Sequence, residues 1–182
     1  MLKSLFAVAL AAIVAAPLLA PPAEAHGPTR KKITETIEIN APPEKVWAAI
    51  GNFQDMSWHP AVVKQEGQNG NAIDATRRLT LPNDGTIDEV LYKYEPAKMS
   101  YSYRITAVDV KVLPVTNYSS TITVLPGPDG KTSTVEWRGA FYRGYPNNDP
   151  PAELNDDAAI AAVTAVYKSG LEALKKKIES GS

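Results

Sequence analysis

Ala41-Pro42-Pro43-Glu44-Lys45-Val46-Trp47-Ala48-Ala49-Ile50, running on to Asp55-Met56-Ser57-Trp58-His59-Pro60, is the stretch that decides the fold. A strand-like segment, Ile33 to Ile39, leads into it. The two prolines stop that strand and open a helix, because a fixed φ and a missing N–H suit a first helical turn. Val46, Trp47 and Ile50 give this helix one apolar side. A second short helical turn would carry Met56 and Trp58 and end at His59-Pro60.

Upstream of this stretch the chain reads as an export signal. Lys3 supplies a positive start, Leu5 to Leu19 is almost wholly apolar, and Ala23-Glu24-Ala25 has the small-x-small form of a cleavage site after Ala25. A retained membrane span is the competing reading. The apolar run is short for the roughly 20 residues a span needs, and Pro21-Pro22 closes it. Residues 26–32 then form a flexible leader, and 33–180 a single domain.

Downstream the period becomes two. Short strands are expected over Ala61 to Gln65, Ala75 to Leu81, Thr86 to Glu95, Met99 to Ala107, Val115 to Leu125 and Thr134 to Tyr142, with turns at Pro82–Gly85 and Pro126–Gly130. After the Pro146–Pro151 loop the period changes to three and four. Leu154, Ile160, Val163, Tyr167, Leu171, Leu174 and Ile178 mark one face of a long helix over Ala152 to Glu179. Asp156 and Asp157 near its start and Lys175–Lys177 near its end complement the helix dipole. The expected fold is α+β: a curved antiparallel sheet of about seven strands wrapped around a long C-terminal helix, with two short helices after the first strand.

Composition removes several function classes. Lys and Arg total 19 against 20 Asp and Glu, and a balanced surface argues against nucleic acid, whose phosphates demand clustered cations. There is no cysteine, which excludes thiolate chemistry, and an exported chain without disulfides suits a periplasm. No dinucleotide fingerprint, phosphate loop, zinc-protease motif or nucleophile elbow is present. Asn147, Asn148, Asp149, Asp156 and Asp157 lack the ligand order of a calcium loop. His26, the mature N-terminus after cleavage, would chelate copper only with a second histidine, and His59 is the one other histidine in the chain. No metal, cofactor or catalytic residue is assigned.

Strand, Ala41-Pro42-Pro43-Glu44-Lys45-Val46-Trp47, short helix, strands and terminal helix together resemble the START/Bet v 1-like (SRPBCC) superfamily, in particular polyketide cyclase/dehydrase-type proteins. Within it the chain is similar to the MxaD-type periplasmic proteins of methanol oxidation. Trp58-His59-Pro60-Ala61-Val62, Leu113 to Ser120, Trp137 to Gly144 and Tyr167 to Leu171 carry that resemblance. It implies a helix-grip cavity between sheet and helix, and a non-enzymatic role assisting methanol dehydrogenase or its electron transfer to cytochrome c. A carrier of a small hydrophobic ligand and a cyclase-like enzyme are the alternatives.

Candidate cavity residues follow. Tyr101, Tyr103, Tyr118 and Trp137 fall on alternating faces of three strands, as a ligand pocket or as plain core. Pairing Leu79 with Ile87 across the Pro82–Gly85 turn sets Arg77 opposite Glu89, either a ligand anchor or a structural ion pair. Trp58 and His59 stand near the expected cavity mouth, with His59 a proton shuttle or a packing residue. Phe141, Tyr142, Arg143 and Tyr145 are candidates for a partner surface, since aromatics and Arg favour interfaces.

Overall fold

A computed structural model describes residues 27–181. The export signal and His26 lie outside the described residues. β1 (Lys31–Ile39) begins within the stretch expected as leader, and α1 (Pro43–Ile50) follows it. The strands β2 (Lys64–Gln68), β3 (Thr76–Thr80), β4 (Thr86–Glu95), β5 (Ser100–Val108), β6 (Val115–Pro126) and β7 (Ser133–Arg143) come next, and α2 (Asp156–Glu179) ends the fold. The strands form one seven-stranded antiparallel sheet in the order β1-β7-β6-β5-β4-β3-β2. Five consecutive hairpins thus build most of the sheet, and β1 closes it against β7.

Local chemistry explains each boundary. Pro42 caps α1 in an extended conformation and Pro43 opens it, as the proline pair requires. Asn155 caps α2 by accepting the Ala158 N–H at 2.8 Å. The helix therefore starts at Asp156; Ala152–Leu154, expected as its first turn, is a separate 3-10 turn. Register shifts between Asp88 and Glu89, between Leu91 and Lys93, and between Thr116 and Ser119 bend the sheet. Asn117 sits in the last of these with φ 47°, a left-handed conformation that asparagine tolerates.

The second short helix expected around Met56 and Trp58 does not form. Three separate turns replace it, with N–H to C=O bonds from Asp55 to Asn52, His59 to Met56 and Val62 to His59. The Asn52 and Asp55 side chains accept the Gln54 and Ser57 N–H groups, offering the backbone a rival to the helix. Pro60 then has no N–H to continue one and pushes His59 out of the helical region. This turn segment lies under α2, where Trp58, His59 and Met56 are buried. Ala159, Val163, Tyr167, Gly170, Leu171, Leu174 and Ile178 form the buried face of α2, and they meet the inward residues of β1 and β7.

Candidate functional site

All eight cavity candidates are buried on the inner side of the sheet, between it and α2: Trp58, His59, Arg77, Glu89, Tyr101, Tyr103, Tyr118 and Trp137. Period-two alternation places the tyrosines and Trp137 there, and α2 covers them with Tyr167. Trp137 stacks on Tyr167 with centroids 4.3 Å apart and an 11° angle, and Trp58 meets the same indole edge-on at 5.6 Å. The polar tips form one chain. Trp137 Nε1–H donates to the Tyr103 hydroxyl at 3.1 Å and to Ser120 Oγ at 2.9 Å. Ser120 Oγ–H donates to the Arg138 carbonyl at 2.7 Å, and Tyr167 joins Ser120 at 3.0 Å and Tyr118 at 2.6 Å. Burial pushes the Tyr103, Tyr118 and Tyr167 hydroxyls above the ordinary phenol range, so this chain is neutral near pH 7.

Arg77 stands opposite Glu89 in the β3–β4 register, as the turn geometry requires. Arg77 Nε donates to Glu89 Oε2 at 2.5 Å, with both side chains shielded from solvent. Arg77 Nη1 donates to the Phe53 carbonyl. The guanidinium carbon lies 4.3 Å from the Phe53 ring centroid and 4.9 Å from that of Tyr103. Burial opposes the Arg77 charge, but Glu89, Tyr101 and Tyr103 more than offset it, so its pKa is raised. Burial raises the Glu89 pKa, with Arg77 pulling the other way. At 2.5 Å the contact is a charge-assisted bond, and we describe the two as an ion pair. Arg77 Nη2 and the Tyr101 hydroxyl have no hydrogen-bond partner in the structure.

His59 uses both ring nitrogens. Nε2 faces the Val166 carbonyl at 3.0 Å, which accepts only from a protonated nitrogen, and Nδ1 accepts the Ala61 N–H at 3.2 Å. That pattern fixes the neutral Nε2–H tautomer. Burial lowers the His59 pKa, the Val166 contact partly opposes this, and the Arg77 charge adds to the lowering. A ring held this way has no free lone pair with which to take a proton from a substrate.

The hollow bounded by these groups is small. Its volume is about 70 Å³, with walls that include Met56, His59, Leu79, Tyr103, Tyr118 and Trp137. Pockets for drug-sized ligands occupy roughly 300–1,000 Å³. A larger, open and polar hollow of about 500 Å³ lies along β2 to β5, lined by Glu66, Thr76, Arg78, Asp88 and Thr106 and bordered by the Arg77–Glu89 pair. Its Arg78 is already bidentate to Asp88. Among the described residues no group of three or more His, Cys, Asp or Glu is placed to hold a metal. None of the helices among them is long and apolar enough to cross a membrane.

The four surface candidates separate. Phe141 is fully buried against Tyr118, because the inward alternation of β7 continues through it. Arg143 is buried as well, donating to the Tyr145 and Asn147 carbonyls at 2.8 Å and tying down the loop before α2. Only Tyr142 and Tyr145 remain half-exposed. Sequence reasoning missed Phe53, Ser120 and Tyr167 as members of the inner site. Ser120 and Tyr167 carried a signal, each standing in register with an inward-facing aromatic; a carbonyl such as that of Phe53 carries none.

The architecture has known counterparts. Residues 30–179 match the family described as polyketide cyclase/dehydrase and lipid transport. The chain belongs to this family. Family membership agrees with the helix-grip sheet and terminal helix found here. Two solved structures are 33% identical to the chain, each covering 81% of it at a TM-score of 0.69. One is an uncharacterized protein from Bacillus thuringiensis, matched over 98% of its length. The other is the protein XoxI from Bacillus cereus, matched over 94%. Norcoclaurine synthase from Thalictrum flavum matches at 14% identity over 93% of this chain and 98% of its own, with a TM-score of 0.63, which speaks to fold alone. No curated protein matches the chain.

Proposed function

We propose that this family member is an exported, periplasmic accessory protein of methanol oxidation, which acts by docking to methanol dehydrogenase or its cytochrome c. The observation that carries this reading is the filled interior. Where a cyclase or a carrier needs an accessible cavity, this chain has stacked aromatics around about 70 Å³. The two best acid/base candidates are already engaged, His59 at both nitrogens and Glu89 with Arg77. Work done by such a fold falls to its surface. The Trp58-to-Val62, Leu113-to-Ser120 and Trp137-to-Gly144 segments supply the resemblance to MxaD-type proteins, and the leading apolar segment supplies the export route.

The test is genetic and biochemical. Deleting the gene should lower the rate of electron transfer from methanol dehydrogenase to cytochrome c in periplasmic extracts, and the purified protein should restore it. Tagged protein should retain one of the two redox proteins on a column. An unchanged rate, with no complex formed by either protein, overturns the reading.

A further inference from the structure

The outer face of the sheet carries a basic patch that fold stability does not explain. On β1, Lys32 stands opposite Ala140 of β7, Ala140 opposite Ser119 of β6, and Ser119 opposite Arg104 of β5. In the next row, Arg138 lies between Thr34 and Thr121. Arg30 reaches in from the chain just before β1, donating to Ser119 Oγ at 3.0 Å and lying 5.8 Å from the Tyr142 ring centroid. Four cations therefore surround a floor of hydroxyls and small residues in a chain whose net charge is −1. Only Arg138 has an acidic partner, Glu136 at 3.0 Å; Lys32 and Arg104 are exposed and form no ion pair with another described residue. Like charges clustered on one sheet face repel, so their placement opposes stability.

The shape adds to the charge. The small side chain at Ala140 leaves a trough of about 230 Å³ lined also by Lys32, Thr34, Thr121 and Arg138. Tyr92, 42% exposed, stands at its far wall. Lys32 and Arg104 are three strand spacings apart, roughly 14 Å, which is wide enough to receive a helix or an extended segment between them. Exposed Tyr and Arg are the residues that interfaces favour.

We propose that this outer face of β1, β7, β6 and β5 docks an acidic segment of a partner protein. Carboxylates enter the trough toward Ser119 and Thr121 while Lys32 and Arg104 clamp its two sides. A bilayer surface fits less well, because a flat sheet of headgroups touches the rims and leaves the recessed floor uncovered. The proposal rests on the accessory reading for the partner's identity and on charge and shape alone for the face.

The double variant Lys32→Glu/Arg104→Glu tests it, with Lys131→Glu/Lys168→Glu, on a distant turn and on the exposed side of α2, as the control of equal net charge. Both altered side chains are exposed and unpaired, so the variant should fold; Lys32→Gln/Arg104→Gln replaces it otherwise. The probes are a fluorescent polyglutamate peptide, purified methanol dehydrogenase and cytochrome c, and phosphatidylglycerol vesicles. The wild type should bind the peptide, more weakly as salt screens the charges, and the double variant at least about tenfold more weakly than the control. If the redox proteins bind the wild type and the double variant equally, the face is wrong while the accessory reading stands. If the peptide result holds but neither redox protein binds, the face stands and the accessory reading falls. Vesicle binding without peptide binding, or an equal loss in the control, overturns the proposal.

Discussion

At the scale of single residues, Arg77 and Glu89 carry the largest electrostatic stake in the molecule. Two opposite charges removed from water must satisfy each other, and Phe53 and Tyr103 complete the enclosure of the guanidinium. Removing one partner leaves the other charge buried and alone, a change that destabilises by about 3–5 kcal/mol; replacing both with apolar side chains of similar volume is commonly neutral or better. Arg77→Leu and Glu89→Leu should each lower the unfolding free energy from urea titration by an amount in that range, and the double variant should recover most of the loss. Equilibrium denaturation of all four proteins gives the coupling directly. If the double variant is as unstable as the sum of its parents, the two side chains do not act as a unit.

At the scale of elements, α2 approaches the turn at Trp58-His59 more closely than a normal helix side chain permits. A Cβ placed on Gly170 would lie 2.5 Å from His59 Cδ2 and 3.0 Å from Trp137 Cζ3. Alanine would ordinarily favour a helix interior over glycine by about 1 kcal/mol. Here the overpacking should win, because both neighbours are rings locked by other contacts, and Gly170→Ala should destabilise by about 1–3 kcal/mol. Thermal unfolding decides the sign, and a raised midpoint would show that the rings can give way. The sequence anticipated much of this layout. Period-two alternation is legible wherever one sheet face is buried, so Tyr101, Tyr103, Tyr118 and Trp137 were placed correctly, and the Pro82–Gly85 turn was enough to pair Arg77 with Glu89. The same alternation runs from Trp137 through Gly139 to Phe141, and two residues further to Arg143, which puts both inside and outweighs the interface preference of their residue types. The second helix misled because the period of Met56 and Trp58 says nothing of Asn52 and Asp55 capturing nearby backbone N–H groups.

At the scale of the whole molecule, the property that decides between docking and carrying is the volume left between sheet and helix. No sequence pattern gives it, since rings from the turn segment, β5, β6, β7 and α2 set it jointly. The hollow here is about 70 Å³. Apolar cavities of about 150 Å³, by contrast, take up a benzene-sized ligand. Trp137 is the ring whose removal enlarges the hollow most directly, since it lines the cavity and is stacked on Tyr167. Trp137→Ala should lower stability by about 3–5 kcal/mol and leave a space the size of the lost indole. Free indole should then raise the melting temperature of Trp137→Ala, because a ligand that binds only the folded state stabilises it by mass action. The wild type should show no shift at the same indole concentration, and its native mass should be that of the protein alone. A wild-type shift comparable to the variant's would mean that the aromatic core opens to admit a ligand, and the carrier reading would then displace the docking one.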